Sequence, residues 1–452
     1  MTPSDKIHEY SKAVCTQIRW KKAHTVVSEE IENHLIDQKD AYMADGTDES
    51  AATDKAITQM GDPVIVGTQL DRTHRPRPQW AMLVLSAILL LTGLLIRIFF
   101  ISSAEQWLVP TIISVIIGLG LMTVAYLLDF TLIGRYPKTI YFAILVLSVT
   151  ALLTIPVIRG NIHDYLALLF PLGFAAIIYA TKNKGYRGII LCELSFIFPA
   201  VLAIYIPSTS GLLLFAFSGL VILCLAISMK WFNTKVLHGY LIVLIPVAIV
   251  LLIVFVVFIS RSYRCERIQA LFDPSSYSGD IGYIACQIKA LFAGSNFIGH
   301  GVIVPEPTAN GVWMGNGTDY LLTYLIFNIG WISFIIIMGL LLFFIMKGFL
   351  LCFRQKSGLA LFVSVSVMIT FTLQVLGYVM ANLGFPIIVP ISLPLISYGH
   401  GATIVNLALI GIMLSVFRTG HIVKNKYSIV TPTHERLFSF HIGKLIFSVK
   451  KK

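Results

Sequence analysis

Charge is what this sequence has least of. Lys, Arg, Asp and Glu together make up 13% of its 452 residues, about half the share of an ordinary soluble domain. That scarcity excludes a single soluble domain, which needs a charged surface. Cysteine is scarce too: six are scattered along the chain with no CxxC pair, which removes the zinc-ribbon and dithiol readings. No glycine-rich nucleotide loop and no cluster of metal-ligating residues appears, so no cofactor is expected, with a divalent cation left open. The first eighty residues hold no apolar run, and a cleavable signal peptide is not expected there.

Apolar residues, at 56%, are what the chain has in excess. From residue 80 onward they form runs of about twenty residues, each long enough to cross ~30 Å of hydrocarbon. The runs fall near 80–101, 107–130, 139–158, 163–180, 188–206, 209–228, 237–260, 318–350, 358–380 and 391–417. The expected fold class is therefore an all-α polytopic membrane protein of about ten transmembrane helices. Alternate connections carry Arg135 and Lys138; Lys182, Lys184 and Arg187; Lys230 and Lys235; and Arg354 with Lys356. Their counterparts "SSAEQ", "IPSTS" and "ANLGFPIIVP" carry no basic residue. The positive-inside rule places the basic connections, and both termini, in the cytoplasm. The same rule accounts for the net charge of +11, so no nucleic-acid partner is expected; membrane lipids are.

Three regions follow. Residues 1–76 read as a small soluble helical domain, with Ile31, Leu35 and Tyr42 at helical spacing and Gly61-Asp62-Pro63 as a stop. "RTHRPRPQW" is a stiff basic linker ending at an interfacial Trp80. Residues 77–420 form the membrane region, and 421–452 a basic cytoplasmic tail. The connection 261–317, between the seventh and eighth crossings, is long, extracellular by topology, and rich in Gly, Arg, carboxylates and aromatics. A connection of that length usually carries function.

"EEIENHLIDQ" followed by "AITQMGDPVIVGTQL" resembles the helical prefix domain of Gram-positive bacterial membrane proteins. "YRCERIQALFDPSSYSGDIGYIACQIKALFAGSNFIGHG" resembles the large outer loop of the SEDS family (FtsW, RodA and SpoVE proteins), through Arg267-Ile268, Asp273-Pro274, Gly282-Tyr283, Gln287, Gly294, Gly299 and Gly301. "GTDYLLTYLIFNIGW" resembles the family's His-Thr-Asp-Phe segment through Thr318-Asp319-Tyr320. The stretch from Gln374 to Asn406 is similar to its last signature through Pro394, Ser397, Tyr398 and Gly399. The resemblance implies a peptidoglycan glycosyltransferase of division, elongation or sporulation, in the cytoplasmic membrane of a Gram-positive bacterium. It would polymerise lipid II at the outer face beside a class B penicillin-binding protein transpeptidase. Two alternatives stay open: a non-catalytic scaffold, and a flippase for the lipid-linked precursor.

By the motif match Asp319 is the base that takes the acceptor hydroxyl proton; a residue that merely opens a helix would look the same. Arg267 and Lys289 are candidate pyrophosphate contacts, because cations pair with phosphate oxygens, although snorkelling to lipid headgroups has the same signature. Gln287, Ser397 and Tyr398 complete the expected substrate-binding set. Asp273 reads as a turn residue ahead of Pro274. Glu193 and Arg97 are charges within crossings, where an ionisable group marks function by default. Departures from the family pattern are Gly317 in place of His, Phe327 and Asn328 in place of a glutamate pair, and His400 in place of Gly.

Overall fold

The computed structural model describes residues 2–100, 104–154, 162–205, 209–259, 269, 273–277, 282–302, 319–385, 390–397, 399–420, 439–442 and 445–448. Four short helices come first: α1 (Pro3–Thr16), α2 (His24–Ala44), α3 (Glu49–Met60) and α4 (Pro63–His74). Their starts are written in local chemistry. The Thr2 hydroxyl accepts from the Asp5 N–H while the Asp5 carboxylate accepts from the Thr2 N–H, a reciprocal cap worth about 1 kcal/mol. Asp48 and Asp62 cap α3 and α4 in the same spirit, the latter with Pro63 at the first helical position. Ile7, Val14, Ile18, Val27, Ile31, Leu35 and Ala56 close a small apolar core that shares no residue with the membrane region.

Asp71 ties α4 to the end of α1. Its carboxylate accepts from the Arg19 backbone N–H at 2.9 Å and from Arg19 Nε at 3.0 Å. Those contacts, the backbone N–H foremost, hold it below its ordinary value of 3.8 although burial pushes the other way. A depressed carboxyl stabilises the fold above the unfolded value and stops doing so as pH falls through the folded one. Amide exchange of residues 63–74 should therefore quicken once the pH drops below about 3.8, and Asp71→Asn should remove that acid step.

The membrane region holds α5 (Trp80–Phe100), α6 (Ala104–Leu127), a short α7 (Thr131–Arg135), α8 (Pro137–Thr154), α9 (Ile162–Ala167), α10 (Phe170–Ala180), α11 (Gly185–Tyr205), α12 (Thr209–Ser228) and α13 (Val236–Ile259). After the long connection come α14 (Tyr283–Ala293), α15 (Leu321–Ile329), α16 (Trp331–Phe353), α17 (Gly358–Asn382) and α18 (His400–Thr419). Nine described helical spans are long and apolar enough to cross a membrane, and Val236–Leu252 of α13 is a further, shorter apolar stretch. The chain is an all-α polytopic membrane protein. Beyond α18, Ser439–Ile442 and Leu445–Ser448 pair as a small antiparallel ladder, which the basic composition of the tail did not foretell.

Two expected crossings are broken. The run 163–180 divides into α9 and α10, and 318–350 divides into α15 and α16 at Gly330. Gly330 has φ 106° and ψ 171°, a region essentially closed to other residues. A Cβ there would stand 2.5 Å from the Phe297 carbonyl oxygen. Gly330→Ala should cost about 1–3 kcal/mol from the backbone alone, with more from that contact. Thermal unfolding of the purified protein measures it.

α17 is the centre of the bundle, buried on every side from Gly358 to Phe371. Its Ser364, Ser366 and Thr370 return their hydroxyls to their own helix carbonyls, so no polar group is stranded. The two ends of the bundle differ. At the basic end, Asn183 and Gly185 donate to the carbonyls of Trp231 and Phe232, Gly358 abuts the Trp231 ring, and the Arg77 N–H donates to the Arg418 carbonyl. At the opposite, loop end, His400 lies 3.1 Å from Ser114, Gly399 abuts Tyr165, and Gly384 faces Ile288 of α14.

Candidate active site

The loop end is organised around the start of α15. This helix has no side-chain cap of its own, so its first N–H groups need outside acceptors. α17 supplies them. Leu321 N–H donates to the Tyr378 hydroxyl at 3.1 Å, and Thr323 N–H to Asn382 Oδ1 at 3.2 Å. The Thr323 hydroxyl donates to the Asn382 carbonyl at 2.7 Å. Asn382 Nδ2 then donates to the backbone carbonyl of Asp319 at 3.0 Å. Tyr378 and Asn382 are fully buried, four residues apart on one face of α17.

Asp319 is held by its backbone and only partly buried. It sits ahead of Tyr320, the residue that precedes α15. This corrects the expectation that it opens the eighth crossing: it precedes a nine-residue helix, and the crossing itself is α16. The N-terminus of α15 still points toward it and favours negative charge there.

The far end of α15 is closed by the long connection. Gly301 N–H donates to the Phe327 carbonyl and Gly299 N–H to the Ile329 carbonyl, while Trp331 N–H donates to Asn296. These bonds occupy the last carbonyls of α15 and fix the break at Gly330. α14 buries Ala285 and Ile288. Gln287, on the same helix, is half-buried and Lys289 exposed. Asp273 is a turn residue, held below the usual carboxylate range first by the Ser275 hydroxyl and then by that of Ser276.

Ser397 is buried, accepts from the Leu393 N–H at 2.8 Å and secures the turn before α18. Beneath that turn, Gln374 of α17 bonds both Asn406 of α18 and Ser392. Arg267, Tyr398 and most of the connection 261–317 lie outside the described residues. Among the described residues no group of three or more His, Cys, Asp or Glu gathers as a metal site.

Sequence reading missed Tyr378 and Asn382. The signal was present in "YVMAN": two polar groups four residues apart near the end of an otherwise buried helix, a spacing that places both on one side.

Residues 79–421 match the pattern of the cell cycle proteins FtsW, RodA and SpoVE. The chain belongs to the FtsW/RodA/SpoVE family. A chain of a solved complex described as coordinating polymerization and crosslinking by a peptidoglycan synthase is 21% identical, with a TM-score of 0.60 over 75% of this chain and 98% of that one. The rod shape determining protein RodA of Thermus thermophilus is 16% identical, with a TM-score of 0.51 over 76% and 98%. A probable peptidoglycan glycosyltransferase FtsW of Trichlorobacter lovleyi is 22% identical over 164 residues, 35% of this chain. The match spans 41% of that relative's length. Phe327 is buried against the His300 ring at 5.2 Å, and Asn328 donates to the Tyr324 carbonyl.

Proposed function

We propose that this chain is a peptidoglycan glycosyltransferase that polymerises lipid II at the outer face of the cytoplasmic membrane. The observation that carries the reading is the partly exposed Asp319, its backbone clamped by Asn382 where α15 meets α17 at the loop end. In this reading the basic end and both termini face the cytoplasm of a Gram-positive cell, and the loop end faces outward. The Asp319 carboxylate takes the proton of the acceptor sugar hydroxyl as that oxygen bonds to the donor's anomeric carbon. The bond from that carbon to the lipid pyrophosphate breaks, and the pyrophosphate leaves with the electron pair.

Arg267 and Lys289 neutralise the leaving group, and Gln287 and Tyr398 contact the sugar or peptide. Ser397 serves by shaping the wall rather than by direct contact. The partner is a class B penicillin-binding protein transpeptidase, and the process is division, elongation or sporulation. The names of the similar proteins support both substrate and partner.

A second reading, a non-catalytic scaffold, is favoured by Phe327 and Asn328 standing where the family places a carboxylate pair. Purified protein incubated with lipid II, with and without the transpeptidase and with Mg²⁺ or EDTA, separates the two. Glycan made by the wild type supports the enzyme; none under any condition leaves the scaffold.

A further inference from the structure

Glu193 is a carboxylate within a crossing that the outward site does not use. It lies eight residues into α11 from the basic end, about 12 Å along the axis. Its side chain is half-exposed, and no hydrogen bond or ion pair joins it to another described residue. A carboxylate at such depth is costly and normally finds a partner.

The surroundings say what kind. On one side of Glu193 the exposed apolar residues Ile190, Leu194, Ile197 and Val201 run along α11. On the other lies α13. There the Tyr186 hydroxyl is 3.1 Å from His238 Nδ1, and a Cβ at Gly239 would stand 3.4 Å from Ile189. Both helices leave the basic end in the same direction, so Glu193, one turn beyond Ile189, is level with Ile242 and Val243. The half-exposed Glu193 carboxylate thus lies between that apolar row and α13.

We propose that this face of α11 docks a membrane-spanning helix of a partner protein that carries a lysine or arginine at the matching depth. The carboxylate is an acceptor, and an ammonium or guanidinium supplies the donor and the charge. A lipid amine stays at headgroup level, about 12 Å away, and the row of exposed apolar residues beside Glu193 gives an apolar helix a surface to cover.

The test uses full-length protein in phosphatidylcholine liposomes, labelled for energy transfer to a synthetic poly-leucine transmembrane peptide. One peptide carries a single lysine about 12 Å from its end; the control carries leucine there. The lysine peptide should bind about three- to thirtyfold more tightly. Glu193→Leu should bring it down to the control, with Glu193→Gln in between. Equal binding of both peptides by the wild type overturns the proposal, as does undiminished lysine-peptide binding by Glu193→Leu. Glu193-dependent transfer between copies of the protein, with no peptide preference, also overturns it in favour of self-association. If Glu193→Leu melts below the wild type, Glu193→Gln decides the matter alone: it must weaken lysine-peptide binding and leave the control peptide unchanged.

Discussion

Asp319→Asn should lower lipid II polymerisation by roughly 10²–10⁴-fold, the usual contribution of a positioned general base. The substitution is nearly isosteric, and it spares the contact that fixes this position. Asn382 holds Asp319 by its main-chain carbonyl, and the N–H groups of Leu321 and Thr323 keep their acceptors on α17. Circular dichroism and thermal unfolding report whether the fold is kept. What is lost is the ability to accept a proton, since an amide oxygen is a far weaker base. Asp319→Glu makes a useful companion. It keeps the base but pushes it about one methylene outward, and a misplacement near 1 Å can cost on the order of 10²-fold. The readout is the glycan ladder from purified lipid II, with and without the transpeptidase. A Asp319→Asn protein that polymerises at the wild-type rate would remove Asp319 from the chemistry.

The crossings were legible because hydrophobic runs and the placement of Lys and Arg are local facts, and α5, α6, α8, α11, α12, α13 and α17 fall close to where those runs predict. The breaks were not. Gly330 within "FNIGWISF" is compatible with an unbroken membrane helix, and a lone glycine carries no stop signal there. The break is set by Gly299 and Gly301, some thirty residues earlier, whose N–H groups take the last carbonyls of α15. Sequence periodicity has no access to such a contact. Ser397 misled in the opposite direction. In "LPLISYG" it has the composition of an exposed turn, whereas the Leu393 backbone turns it inward. Asp319 was singled out by motif alone. The residues that hold the start of α15, Tyr378 and Asn382, lie in a helix whose apolar surroundings made them read as filler, although two polar groups on one buried face require partners.

Asn382→Ala should be the most disruptive single change away from Asp319 itself. The side chain of Asn382 donates to the carbonyls of Asp319 and Tyr378 and accepts from the Thr323 N–H. All of this happens in a site closed to solvent. Its removal strands the Thr323 N–H and the Asp319 carbonyl. Each buried unsatisfied group costs about 1–3 kcal/mol, so the start of α15 should loosen by roughly 2–6 kcal/mol before any relaxation. Amide exchange at 321–325 should quicken accordingly, while the soluble helices α1 to α4, whose core shares no residue with the membrane region, keep their protection. Polymerisation should fall by about 10²-fold or more, since the carboxylate loses its position. Asn382→Asp discriminates further. It keeps an acceptor for Thr323 yet puts a second negative charge beside Asp319 and loses the donor to its carbonyl. It should therefore hold α15 better than alanine does and still fail as a polymerase. If Asn382→Asp and Asn382→Ala instead lose activity only in proportion to lost thermal stability, Asn382 is a packing residue and the clamp has no part in positioning the base.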